Sequence, residues 1–190
     1  KIGKNSPNND TIFISPEENL VIGQLSIVAA SGSDCFFNLS ELKLKIKLDD
    51  DNISINNIRL INDHNGNGAF DPEETYLNSS DLDKGFVEFN SSDPFNRLWA
   101  NRLNYLIFVA DISYKEGETI PKTATFTPSI EAGGILIVDD GEPEITGLPV
   151  LFSKFQLEPD NAFIITKGPL DPPVPERTVM NGKHEILQFK

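Results

Sequence analysis

The sequence predicts an all-β protein, an immunoglobulin-like or jelly-roll two-sheet sandwich. Three observations carry this. Leu42, Leu44, Ile46 and Leu48 alternate with Lys43, Lys45 and Lys47, a period of two that buries one face and wets the other. Further runs rich in Ile, Val, Phe, Leu and Thr lie at 11–15, 20–30, 53–61, 85–89, 103–112, 122–130, 134–138, 148–157 and 161–166, most of them bounded by Gly, Pro, Asn or Asp. Helical signal is nearly absent. No βαβ rhythm occurs, and the segment 93–99 alone predicts a single turn, with Asp93 as N-cap and Pro94 at the first helical position. About ten to twelve strands in all suit a sandwich or jelly roll.

The sandwich is expected over residues 1–166. Residues 167–176 follow as Lys-Gly-Pro-Leu-Asp-Pro-Pro-Val-Pro-Glu, an extended, semi-rigid connector. Beyond it, 177–190 ends in an alternating stretch, Lys183 to Lys190, that predicts a detachable C-terminal strand. Such a strand can close an edge of its own sheet, begin a following module, or insert into a neighbouring subunit.

Composition bounds the function. Hydrophobic residues make up 38% of the 190, enough to pack a core, so disorder is set aside. Asp and Glu number 29 against 16 Lys and Arg, a formal net charge of -13. That field repels phosphate backbones and anionic lipid heads, which argues against nucleic acid and membrane-surface partners and suits a binder of cations. No apolar run approaches the ~20 residues that span a bilayer. Cys35 is the one cysteine, so neither an intramolecular disulfide nor a multi-thiolate zinc site can form. Beside Phe36 and Phe37 it is expected in the core. The sequence begins at Lys1 without Met or a charged-then-apolar leader, as expected of a secreted chain whose signal peptide has been removed, or of a piece of a longer one. Five Asn-x-Ser/Thr sequons, at Asn9, Asn38, Asn52, Asn78 and Asn90, fit surface glycosylation.

The segment 63–74 reads Asp-His-Asn-Gly-Asn-Gly-Ala-Phe-Asp-Pro-Glu-Glu. Against a twelve-position EF-type loop, Asp63, Asn65 and Asn67 fall at positions 1, 3 and 5. Gly68 falls at the sharp turn, and Ala69 at position 7 offers its carbonyl. Asp71 falls at position 9, and Glu74 at position 12, where a bidentate carboxylate is needed. Calcium takes six to eight hard oxygens, and alternating side chains in a tight turn bring them to one point. A plain polar turn would use the Asn-Gly steps but would not require Asp71 and Glu74 at these offsets. The expected ligands are therefore Asp63, Asn65, Asn67, Ala69, Asp71 and Glu74, and the expected cofactor is calcium, bound with an affinity suited to the extracellular range. The preceding Ile58-Arg59-Leu60-Ile61 predicts a strand in place of an incoming helix. Asp49-Asp50-Asp51, Asp111, and Asp139, Asp140, Glu142 and Glu144 are weaker acidic clusters, read first as solvated turns.

This order, a strand running into an Asp-x-Asn-x-Asn-Gly loop and a later strand Tyr105-Leu-Ile-Phe-Val-Ala-Asp111 ending in an acid, resembles calcium-binding β-sandwich modules of extracellular bacterial and archaeal surface proteins. The loop itself resembles those of dockerins and thrombospondin type 3 repeats. In overall plan the chain is similar to the strand-exchanging subunits of calcium-dependent filaments such as archaeal cannulae. The resemblance implies a structural or adhesive protein at the cell surface or outside the cell. It further implies a homo-oligomer or filament formed through the C-terminal strand, or a module of a multidomain adhesin with a glycan or cell-surface partner.

No catalytic constellation is found. The two histidines, His64 and His184, are isolated, and no nucleophile elbow, phosphate loop, zinc-helix motif or dinucleotide fingerprint occurs. The expectation is a protein that is not an enzyme. Trp99, Tyr105 and Phe95 can be read as a sugar-stacking platform, but core or interface positions are the first expectation.

Overall fold

The computed structural model describes residues 1, 3, 4, 6, 11–28, 36–49, 53–90, 97–115, 124–137 and 145–157, and the backbone at 96, 138, 163–164 and 179–180. Among them are strands only: β1 Thr11–Ile14, β2 Glu17–Val28, β3 Phe36–Leu48, β4 Ile53–Asn62, β5 Thr75–Ser80, β6 Phe86–Asn90, β7 Asn96–Trp99, β8 Leu103–Tyr114, β9 Ala124–Ile130, β10 Ile135–Val138, β11 Val150–Leu151, β12 Lys154–Leu157, β13 Phe163–Ile164 and β14 Val179–Met180. They form an all-β sandwich. One sheet has the order β2-β8-β4-β5, and the other, of eight strands, runs β1-β12-β9-β3-β10 with β6, β7 and β11 attached.

The long β3 is the spine of the larger sheet. One edge pairs with β9 and then β10, the other with β6 and then β7. Its alternation works as the sequence predicts. Leu42, Leu44 and Ile46 are buried, while Lys43, Lys45 and Lys47 reach outward to Glu88, Glu131 and Asp49. Between the sheets lies a core with Phe89, Phe108, Phe126 and Phe155 fully buried. Phe126 and Phe155 stack at 4.9 Å and Phe108 meets Phe152 edge-on at 5.7 Å. Gly23 lets β2 pass close to the other layer, since a Cβ there would sit 2.8 Å from the Phe152 ring.

The single helical turn expected over 93–99 is corrected for 96–99. Asn96–Trp99 is strand β7, paired antiparallel with Phe36–Leu39. Leu98 is wholly buried and Trp99 lies against Phe36, so cross-strand packing overrides the local capping signal. Asp93, Pro94 and Phe95 lie outside the described residues, as do Cys35, His184 and the cluster 139–144.

The outer face of the four-stranded sheet also buries apolar residues. Ile61, Ile107 and Val109 form a second small cluster there, flanked by Val21 and Phe70. The strand β8 is thus apolar on both faces over 106–110, which explains the continuous run Leu106 to Ala110. Two bulges sit at the opposite end of this sheet, between Glu17 and Leu20 of β2 and between Asn56 and Arg59 of β4. Asn19 and Asn57 adopt positive φ there, 61° and 53°. Strands β13 and β14 pair with each other, Phe163 opposite Met180, and among the described residues share no ladder with either large sheet.

Candidate metal centre

The segment 63–74 links the edge strand β5 to β4. Asp63 opens it, its N–H donating to the Tyr105 carbonyl at 3.0 Å and so extending the β4–β8 ladder. Its side chain is buried. Oδ1 accepts the Asn67 N–H (3.1 Å), and Oδ2 accepts the Gly68 N–H (3.0 Å) and the Gln24 amide (2.5 Å). Two further side-chain oxygens curl the chain onward. Asn65 Oδ1 accepts the Asn67 N–H at 2.8 Å and Asn67 Oδ1 accepts the Ala69 N–H at 2.7 Å. These are Asx turns laid end to end, with the side chains of positions 1, 3 and 5 folded to one side.

Gly66 and Gly68 take φ of 65° and 74° within this curl. Gly66 also lies flat under Tyr105, where a Cβ would approach the ring to 2.9 Å. Phe70 returns to the outer face of the sheet beside Ile61, Ile107 and Val109, with the Arg59 guanidinium 5.4 Å from its ring centre. The loop is therefore pinned at three points: Asp63 on Gln24, Gly66 on Tyr105, and Phe70 on the apolar face.

The carboxylates behave differently from one another. Asp71 Oδ2 accepts both the Asn65 and the Asn67 side-chain amides at 2.9 Å, and its carbonyl accepts the Glu74 N–H at 2.9 Å. Glu74 is the unbalanced group. Both of its carboxylate oxygens are buried and neither has a hydrogen-bond partner. Burial, and then the negative charges of Asp63 and Asp71, push its pKa up from the usual carboxylate value. A buried anion facing two others costs free energy unless it is protonated or meets a cation.

Among the described residues, no three Asp, Glu, His or Cys side chains are gathered closely enough to hold a metal by themselves. A cation at this loop would need the amide oxygens of Asn65 and Asn67 and the Ala69 carbonyl as well as the carboxylates. The donor set fits a hard cation in kind. Its clearest match is Glu74, a carboxylate with two lone-pair edges that faces the carboxylates of Asp63 and Asp71. Each Asn oxygen accepts one N–H in these bonds and keeps a second lone pair.

Gln24 is the site residue that sequence reading does not find. It lies on β2, nearly forty residues away, buried, in a strand that reads as ordinary core. The polar residue between Gly23 and Leu25 in an apolar run is the one trace it leaves in the sequence. His64, a non-ligand position, is exposed and bonds Thr75 Oγ1 at 2.9 Å. Asp111 serves the bulges: it accepts the Asn19 N–H (2.9 Å) and the Asn57 amide (2.8 Å), and pairs with Arg59 (3.3 Å). Asp49 is bonded to Thr125 and paired with Lys47 and Lys154, which lowers its pKa to about 2. Tyr105 covers Gly66 and Trp99 meets Phe36, so these two aromatics serve separate contacts.

No family model, curated protein or solved structure matches the chain.

Proposed function

We propose that this chain is a secreted, calcium-binding structural protein, a sandwich that self-assembles into an extracellular filament, tubule or surface layer. The observation that carries the calcium reading is Glu74: both of its oxygens are buried and accept no hydrogen bond, beside Asp63 and Asp71, at the end of a loop curled by two consecutive Asx turns. The ligands would be Asp63, Asn65, Asn67, Ala69, Asp71 and Glu74. Bound calcium would supply the positive charge that these groups lack and would brace the loop against the sheet. The chain's own residues do the rest. Asp63 holds the backbone of the curl, Gln24 fixes Asp63, and Phe70 seats the loop on the outer face.

Assembly is supported by the terminal pair β13–β14, which among the described residues is hydrogen-bonded to neither large sheet. It is also supported by β1, β5 and β10, whose outer edges pair with no other strand among the described residues. Donation of the segment 177–190 to such an edge of a neighbour is the assembly mode proposed. Melting curves and electron microscopy of the purified protein, with millimolar calcium and with chelator, test both halves. A rise in melting temperature with calcium, and polymers that dissolve on chelation, are expected. An unchanged melting temperature removes calcium from the account; monomers under both conditions remove assembly.

A further inference from the structure

Residues 1–6 run against the outer edge of β2, the edge turned away from β8. Lys1 and Ser26 exchange both backbone hydrogen bonds: the Lys1 nitrogen donates to the Ser26 carbonyl at 3.0 Å, and the Ser26 N–H donates to the Lys1 carbonyl at 2.8 Å. Two residues further along, the Gly3 N–H donates to the Gln24 carbonyl at 2.6 Å. This is the register of an antiparallel ladder. The segment then turns away. The Ser6 N–H donates to the Gly3 carbonyl at 3.0 Å and closes a turn. The Ser6 hydroxyl takes the place of that carbonyl as acceptor for the Gln24 N–H, also at 3.0 Å. Gly3 and Ser6 are both buried, so the segment is packed onto the sheet.

Gln24 is held from two sides. Its amide nitrogen donates to Asp63 Oδ2 at 2.5 Å. Its side chain fills the space that a side chain at position 3 would need: a Cβ on Gly3 would overlap Gln24 Oε1 and lie 2.6 Å from its Cγ. Gln24 and Asp63 are both buried, so water does not replace a lost partner at either one. Asp63 in turn accepts the Asn67 and Gly68 N–H groups that curl the loop. One side chain therefore connects segment 1–6 to the first ligand position of the loop.

We infer, on the calcium reading of the loop, that segment 1–6 is a strap whose docking on β2 is coupled to cation binding through Gln24. A cation at the loop fixes the Asp63 carboxylate, Asp63 fixes the Gln24 amide, and a fixed Gln24 presents the surface on which Gly3 lies flat. Loss of the cation loosens the same contacts in turn. The docked strap closes the outer edge of β2 against strands of other chains, and the undocked strap opens it. Calcium thus shuts one sheet edge as it braces the loop. The coupling is reciprocal: docking strengthens calcium binding by the factor by which calcium strengthens docking.

Calorimetric titration of the full chain with calcium, and amide hydrogen exchange with and without it, test the coupling. Gly3→Ala should weaken calcium binding about fivefold or more, because the added methyl must displace either the strap or Gln24. Gln24→Ala should weaken it as well. The double variant G3A/Q24A should bind no more weakly than Q24A alone, since the methyl then meets no glutamine. In the wild type, saturating calcium should slow exchange of the Gly3 and Ser6 N–H groups about fivefold or more. The Asp49 N–H, bonded to the Thr125 carbonyl at 2.9 Å on the other sheet, should change by less than about twofold. Wild-type affinity in G3A, losses in G3A and Q24A that simply add, or unchanged exchange at Gly3 and Ser6 would each overturn the strap and leave the calcium reading intact. A wild-type chain that takes up no calcium overturns both.

Discussion

Glu74 decides the electrostatics of its loop at the scale of single residues. Its folded pKa is raised, by burial first and by Asp63 and Asp71 next. A carboxylate raised in this way is neutral with a proton in both folded and unfolded chains at low pH. As pH climbs past its unfolded value, the unfolded chain ionises first, so the metal-free fold loses stability. Acidification should therefore recover that part of the metal-free stability, while a bound cation reverses the sign by favouring the ionised form. Glu74→Gln tests the point. In chelator it should melt higher than the wild type, by roughly 2–4 °C for each kcal/mol of repulsion relieved, and calcium should no longer raise its melting temperature. Asp63→Ala should behave oppositely. It strips the acceptor from the Gly68 N–H, left unsatisfied at about 1–3 kcal/mol, and removes one acceptor each from the Gln24 amide and the Asn67 N–H, the latter keeping Asn65 Oδ1. It should melt lower with or without calcium. Differential scanning calorimetry at several pH values distinguishes the two.

The loop and the sheet beneath it form one cooperative piece at the scale of elements. Phe70 covers part of a small cluster, Ile61, Ile107 and Val109, that is otherwise on the solvent side of β4 and β8. Phe70→Ala should cost about 2–3 kcal/mol. It should also weaken calcium, because the loop must then order without its apolar anchor. Isothermal titration calorimetry against the wild type reads the second effect and thermal melts the first. Legibility in the sequence follows the same division. The alternation of β3 was readable because one of its faces is wet, and the loop because its spacing of oxygens is particular. Strand β5, Thr-Tyr-Leu-Asn-Ser-Ser, was not readable, since an edge strand half in water needs no apolar period. Strand β7 was obscured by Asp93-Pro94, a capping signal whose tertiary competitor, the first residues of β3, lies sixty residues earlier. Gln24 was invisible for a related reason: its partner is chosen by the β2–β8–β4 order, which local pattern does not encode.

At the scale of the whole molecule, the ladders of the two large sheets are built, among the described residues, from strands between Thr11 and Leu157. Among the described residues, no strand of either large sheet pairs with β13 or β14. Deleting residues 163–190 should leave the melting temperature, and any calcium-induced rise, within about 2 °C of the full chain. If the C-terminal segment is donated between copies, the same deletion should abolish polymers seen by electron microscopy. A truncated chain that unfolds would show instead that the segment completes its own sandwich.

The run of β3 from end to end has a mechanical consequence. Phe36 stands at the aromatic end and Leu48 leads to the far end, and β2 and β8 span the same distance alongside. Traction between the two ends would load those strands lengthwise, so that rows of hydrogen bonds resist sliding together and cannot be peeled one at a time. A fibre strung along that axis would fail at the joints between copies before any one sandwich tears.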